Sequence, residues 1–209
     1  MRAVFFDIGE TLISETRIWS HLAELIEIPP MTLFGVLGAL IADRRDHRNL
    51  FDIVRPDLGW EGVVELFSNK DRYLPEDLYP DAVPTLEALR KAGYFVGVVG
   101  NQPIEREADM LAMNLPADLV ATSAGWSLRK PDPAFFERVA REAGCRPAEV
   151  VYVGDRVDFD VVPAAAVGLA PIHIVRGPWG YIHKDWPEAA QARAQVTSLA
   201  EVPKILARL

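Results

Sequence analysis

The chain of 209 residues is short of several things, and each shortage excludes something. It carries one cysteine, Cys145, so no intrachain disulfide framework holds it together, and a reducing cytosol is the expected home. No run of about 18 apolar residues occurs, so no membrane span is expected. The start, MRAVFFDIGE, meets an acid at position 7 and does not read as a signal peptide. Basic residues number 22 against 30 acids, a formal net charge of −8, which disfavours a nucleic-acid partner because such binding needs a basic face. The basic cluster Arg44, Arg45, His47 and Arg48 is interrupted by Asp46 and reads as the wet end of a helix. Gly-x-Ser-x-Gly, His-Glu-x-x-His and a glycine loop ending in Gly-Lys-Ser/Thr are all missing. Serine hydrolases, zinc peptidases and nucleoside triphosphatases of those classes are thereby excluded. His21, His47, His173 and His183 show no metal-ligand spacing, and there is no internal repeat.

What remains is an ordinary globular balance, 50% hydrophobic and 25% charged. Arg2–Phe6 reads as a short buried strand that delivers Asp7 to a loop. Residues 14–79 then change texture: apolar residues recur at helical spacing (Trp19, Leu22, Leu25, Ile26; Leu33, Leu37, Leu40, Ile41), Pro29–Pro30 divides two helices, and a third is predicted over Gly62–Asn69. This stretch reads as a small all-helical insert.

From residue 80 onward, predicted strands at 94–99, 119–121, 150–153 and 171–175 alternate with helices at 82–92, 104–113, 133–143, 159–167 and 199–206. Asp81 and Ser198 stand where N-caps would be. The alternation predicts an α/β fold: a doubly wound parallel sheet, Rossmann-like, formed by residues 1–13 and 80–209, with 14–79 inserted into it. Three strands end in acids or small polar residues: Asp7, Gly100–Asn101 and Asp155. Ligands of open parallel sheets bind beyond the carboxyl ends of the strands, so these groups are expected to converge. Carboxylates brought together repel unless a cation lies between them or a pKa rises, and hard oxygen ligands suit Mg²⁺. Lys130, in LRKPDP, adds a positive charge.

In order and spacing these segments resemble the haloacid dehalogenase superfamily of hydrolases. The first family motif, Asp-x-Asp-x-Thr after a strand, reads Asp7-Ile8-Gly9-Glu10-Thr11 here; the second reads Gly100-Asn101, the third Lys130-Pro131, and the fourth Gly154-Asp155 with Asp160 five residues on. The insert lies where that family places its helical cap. The resemblance implies that Asp7 is a nucleophile that becomes an aspartyl-phosphate and that Lys130 holds it. It implies Mg²⁺ on Asp7, the backbone carbonyl of Gly9, and Asp155, with Asp160 (and Asp158 close by) behind them. Thr11, Gly100, Asn101 and Lys130 would bind the phosphate.

Two positions depart from the pattern. Gly9 stands where the family's phosphatases carry the acid/base aspartate, and Gly100 where they carry Ser or Thr. Loss of a general acid/base costs ~10²–10⁴ in rate. Glu10 is adjacent but projects from a different backbone position. The leading reading is a cytoplasmic Mg²⁺-dependent phosphatase of a small phosphorylated metabolite, slow or restricted to leaving groups that need no protonation. The alternative is a catalytically degenerate relative that binds a phosphorylated ligand or a protein partner. Metal-free carbon–halogen hydrolysis is disfavoured by the retained Asp155 and Asp160. The phosphonate-cleaving branch needs a cap lysine, and the insert offers only Lys70. The resemblance makes substrate choice a property of the insert, where Trp19, His21, Arg44, Arg45 and Trp60 are available. Monomer and homodimer both stay open, as does the role of the Trp- and Gly-rich segment 177–187.

Overall fold

Runs of Val, Ile, Phe and Ala only four to six residues long, buried on both faces, form the central strands. The computed structural model describes residues 1–67 and 71–208. Six strands, β1 (Ala3–Phe6), β2 (Phe95–Gly100), β3 (Leu119–Thr122), β4 (Val150–Gly154), β5 (Ala170–Ile174) and β6 (Ala194–Val196), pair in the order β3-β2-β1-β4-β5-β6. Every pairing is parallel. This is the doubly wound α/β order expected from the alternation of elements. The central β1 pairs Phe6 with Val98 on one side and with Val153 on the other. The chain reverses its winding direction between β1 and β4, and a crevice opens at such a reversal.

The helices in chain order are α1 (Thr16–Leu25), α2 (Pro30–Ala42), α3 (Asn49–Val54), α4 (Gly59–Phe67), α5 (Ala82–Lys91), α6 (Ile104–Ala112), α7 (Ser123–Trp126), α8 (Pro133–Glu142), α9 (Val162–Ala166), α10 (Gly177–His183) and α11 (Val202–Leu206). The chain divides into two compact units, Met1–Ser14 with Tyr73–Leu209, and Glu15–Arg72. In the second unit α1 to α4 bury Leu22, Ile26, Leu33, Leu37, Leu40, Phe51 and Val63. Arg55 donates to the Ile26 carbonyl at 2.7 Å, and Asp71 takes Arg17 at 2.6 Å and His21 at 2.9 Å. Trp60 packs at 5.6 Å from Phe51 and edge-on to His47 at 6.1 Å. Residues 73–79, grouped with the insert by sequence, lie in the sheet unit: Tyr73 N donates to Asp109, and Ser14 N to the Asp77 carbonyl.

The sheet unit buries one face beneath Trp126, Phe135, Phe136 and Tyr152, whose rings meet at 5.2–6.5 Å. α8 starts where expected, with Pro133 in its first turn and Asp132 accepting from Ala134 N at 2.9 Å. Elsewhere the sequence expectation needs correction. The helix predicted over Gly62–Asn69 is α4, which begins earlier, at Gly59, while α3 was not predicted; Ser68, Asn69 and Lys70 lie outside the described residues. Asp81 occupies the N-cap position of α5 as expected but makes no side-chain cap bond: its carboxylate accepts from Arg176, Ser198 Oγ and Leu199 N. The helix predicted over 159–167 begins as a π-helical turn, Val157–Val161, and continues as α9. β6 and α10 have no counterpart in the prediction. No single described helix is long and apolar enough to cross a membrane.

Candidate active site

The site follows from strand placement. Asp7 N donates to the Val153 carbonyl at 2.8 Å, which continues the β1–β4 ladder one residue past the strand and aims Asp7 across the carboxyl edge of the sheet. Three amides, Thr11, Leu12 and Ile13, then fold back onto the Ile8 carbonyl at 2.9–3.3 Å, making a single tight turn. On the neighbouring strand Gly154 ends β4 and Asp155 begins the next loop. There the amides of Asp160 and Val161 share the Arg156 carbonyl, the wide π turn, and this turn swings Asp160 back toward β4. Single π turns recur at functional sites. Gly154 permits the approach: a Cβ there would lie 2.3 Å from Asp160 Oδ2.

The outcome is a buried cluster. Carboxylate oxygens of Asp7, Asp155 and Asp160 lie within 4.8 Å of one another. Lys130 Nζ stands 2.7 Å from Asp7 Oδ1 and 2.5 Å from Asp160 Oδ1, and 5.4 Å from the centre of the Tyr152 ring. All four charged residues are buried. Burial alone would lower the Lys130 pKa, but Asp160 and Asp7 outweigh it and hold the ammonium charged well above its ordinary value. Burial, reinforced by Asp160 and Asp7, drives the Asp155 carboxyl well up from its ordinary value. Burial lifts Asp160 to about 6, against the opposing pull of Lys130. Fully ionised, three carboxylates facing one ammonium leave two negative charges unmatched, the charge of one divalent cation. The donors are hard oxygens, which suit Mg²⁺ rather than a soft metal.

The other residues singled out from sequence divide. Gly100 abuts Asp7: a Cβ there would sit 2.3 Å from Asp7 Oδ1, so the missing hydroxyl of this position is matched by a carboxylate that fills its space. The Asn101 backbone N–H is the group expected at the phosphate; its side chain is engaged with Lys130. The side-chain amide donates to the Lys130 carbonyl and accepts from Lys130 N, both at 2.8 Å, and so positions the lysine. Thr11 Oγ1 is buried without a hydrogen-bond partner, an orphan hydroxyl in the turn next to the cluster. Gly9 lies in the same turn, paired in an isolated bridge with Ile13. Glu10 adopts the left-handed region at φ 51, is buried, and accepts from Tyr79 Oη at 2.6 Å. A cavity of about 440 Å³ opens beside Asn101, lined by polar Gln102, Ser123, Ser127 and Arg129 among others.

Two positioning residues were invisible in the sequence. His173, fully buried on β5, makes a 2.9 Å hydrogen bond from Nε2 to the Asp155 carbonyl; burial lowers its pKa, so the ring is neutral and Nε2 carries the proton. Tyr152 Oη donates to the Val99 carbonyl at 2.8 Å, tying β4 to β2 beneath Lys130. The only signal for either was a polar residue inside an otherwise apolar strand.

Comparison with known proteins agrees with this geometry. The family model of haloacid dehalogenase-like hydrolase matches residues 1–168. A glyceraldehyde 3-phosphate phosphatase of Methanopyrus kandleri is 28% identical over 202 residues, covering 86% of each chain. An (S)-2-haloacid dehalogenase 1 of a Pseudomonas species is 33% identical over 157 residues, covering 71% of this chain and 66% of its own. The crystal structure of a HAD phosphatase from Thermococcus onnurineus superposes with a TM-score of 0.63 at 27% identity, over 99% of this chain and 98% of that one. The chain belongs to the haloacid dehalogenase-like hydrolases.

Proposed function

We propose that the protein is a Mg²⁺-dependent phosphatase that transfers the phosphoryl group of a small phosphorylated metabolite to Asp7 and then to water. The observation that supports this most directly is the buried cluster of Asp7, Asp155 and Asp160 around Lys130, with two negative charges left over. Asp7, the Gly9 carbonyl and Asp155 would hold Mg²⁺, with Asp160 behind them, and the bound ion would supply charge neutralisation at the phosphoryl oxygens. A dehalogenase reading leaves that surplus charge unexplained.

The chain's own groups do the rest. An Asp7 carboxylate oxygen forms a bond to phosphorus as the bond to the substrate's ester oxygen breaks, giving an aspartyl-phosphate and a free alkoxide or carboxylate. Water then attacks phosphorus, the bond to Asp7 breaks, and inorganic phosphate leaves with the carboxylate restored. Lys130 fixes the nucleophile through its 2.7 Å contact and offsets charge that develops on the phosphoryl oxygens. Asn101 holds Lys130 by its backbone. Gly9 brings no proton to the leaving group, so the favoured substrates are those whose leaving group is already a weak base, acyl or aryl phosphates. Simple alkyl phosphates lose ~10²–10⁴ in rate, roughly 3–5 kcal/mol of barrier.

The test compares hydrolysis of p-nitrophenyl phosphate, acetyl phosphate and glyceraldehyde 3-phosphate, with Mg²⁺ and with EDTA, by wild type, Asp7→Asn and Gly9→Asp. Metal-dependent turnover that vanishes in Asp7→Asn and prefers acetyl phosphate supports the proposal. Silence in wild type with turnover in Gly9→Asp identifies instead a binding protein that has lost its chemistry, the reading that Gly9 itself favours. Metal-independent halide release from a 2-haloacid overturns both.

A further inference from the structure

The segment after β5, Arg176-Gly-Pro-Trp-Gly-Tyr-Ile-His-Lys-Asp-Trp186, touches the loops on both sides of the carboxylate cluster. On the Asp7 side, Arg176 Nη1 donates to the Thr11 carbonyl at 2.8 Å while Nη2 donates to Asp81 at 2.7 Å. Its guanidinium lies 4.0 Å above the Tyr79 ring, whose hydroxyl donates to Glu10. Gly177, at φ 62, lies so close that a Cβ there would be 2.5–2.7 Å from Glu10 Oε2, Cγ and Cβ. No other residue type fits both that backbone conformation and that contact.

On the Asp155 side, His183, buried, accepts from Val157 N through Nδ1 at 3.1 Å, and its ring stacks on Trp186 at 3.7 Å. Trp179 stands 5.2 Å from the Arg156 guanidinium, which Phe159 covers at 3.8 Å and Asp158 holds by two hydrogen bonds. α10 is itself pressed onto the end of β5, since a Cβ on Gly180 would lie 2.7 Å from the Ile174 carbonyl.

We infer that residues 176–186 form a positioning strap that fixes the distance between the Asp7 loop and the Asp155 loop and so sets the affinity of the site for a divalent cation. This rests on the Mg²⁺ reading above. Like charges at Asp7, Asp155 and Asp160, offset only in part by Lys130, push the two loops apart whenever no divalent cation lies between them. Both loops are short, and the strap contacts them through main-chain atoms: the Thr11 carbonyl on one, the Val157 amide on the other. A brace of this kind lets the carboxylates stay assembled before the cation arrives, so little binding energy goes into gathering them. Partners of ligand loops typically tune metal affinity ~10–100-fold.

The experiment titrates Mg²⁺ into substrate-free full-length protein by calorimetry. His183→Leu removes the acceptor of Val157 N and is expected to weaken Mg²⁺ binding about tenfold or more. His183→Gln keeps an acceptor and is expected to stay within about threefold of wild type. Arg176→Lys cannot reach Thr11 and Asp81 together, and is expected to weaken binding several-fold; it carries the test if His183→Leu does not fold. Val139→Ala, on the buried face of α8, supplies a control of lowered stability with unchanged Mg²⁺ affinity. If His183→Leu and Arg176→Lys bind Mg²⁺ within twofold of wild type, the strap is overturned and the phosphatase reading stands. A Val139→Ala that weakens Mg²⁺ binding as much as His183→Leu has the same consequence. Wild type that binds no Mg²⁺ overturns both.

Discussion

Lys130→Met is the sharpest perturbation the site offers. The ammonium is buried and touches two carboxylates, at 2.7 and 2.5 Å, with a third within 4.8 Å of those two. Met keeps most of the volume and removes the charge. Breaking one partner of a buried ion pair costs about 3–5 kcal/mol, because an uncompensated buried charge is left behind. For a chain of this size each kcal/mol moves Tm by about 2–4 °C, so the metal-free variant is expected to melt ~6–20 °C below wild type at pH 8. The pH dependence separates this from lost packing. In wild type, burial raises Asp160 to about 6 even though Lys130 pulls it down. Without Lys130 the carboxyl rises further, and below that value it is protonated and needs no counter-charge. The deficit is therefore expected to shrink from pH 8 to pH 5, and Mg²⁺ at pH 8 should recover part of it. Circular-dichroism melts in EDTA and in Mg²⁺ at the two pH values measure this. A deficit below about 3 °C at pH 8, or one equal at pH 5 and pH 8, refutes the account of Lys130 as the counter-charge.

The same electrostatics predict the behaviour of metal-free wild type. Asp160 is raised to about 6 when folded, from an ordinary value near 3.8, and Asp155 is raised too; the folded state therefore binds protons more tightly than the unfolded chain. This contribution is fully present below about pH 4 and is lost as pH climbs through about 6, roughly 3 kcal/mol for Asp160 alone. Tm in EDTA is expected to fall on that limb and the Mg²⁺-induced gain in Tm to grow; a gain that shrinks with rising pH contradicts it. Gly154→Ala puts a Cβ 2.3–2.6 Å from three atoms of Asp160, which cannot all yield, and is expected to cost about 1–3 kcal/mol and weaken Mg²⁺ binding, read by melts and calorimetry. Thr11→Val replaces a buried, partnerless hydroxyl by a methyl. Stability should hold or rise by about 1 kcal/mol while kcat falls if that hydroxyl serves the phosphoryl group; unchanged kcat assigns Thr11 to packing alone.

Much of the sheet could be read from residue order. Buried parallel strands announce themselves as uninterrupted apolar runs, and the acids that end β1 and β4 were identifiable because nothing in a hydrophobic strand requires an aspartate at its tip. β6 escaped because Ala194–Val196 is three residues long and partly exposed at the sheet edge, where no apolar run is needed. α10 escaped because Gly177–Pro178 is a loop signature, although Pro in a first helical turn is equally at home. The π turn escaped because its cause is not local: Asp160 bends back to reach Lys130, thirty residues away in sequence.

The same reasoning explains which site residues were misjudged. Asp7, Lys130, Asp155 and Asp160 act through charge, and charge in an apolar setting leaves a mark on the sequence. Asn101, His173, Arg176 and His183 act on main-chain atoms: the Lys130 backbone, the Asp155 carbonyl, the Thr11 carbonyl and the Val157 amide. A backbone carbonyl looks alike beside every residue type, so its partner leaves no pattern of spacing or alternation. Asn101 shows this: its side chain bonds the Lys130 backbone, a contact that nothing in its spacing announced, whereas the group expected at the phosphate is its backbone N–H. The four charges of the cluster are legible because they are costly. The groups that hold them in register are neutral or already paired, and only a three-dimensional structure reveals that loops far apart in sequence share one brace.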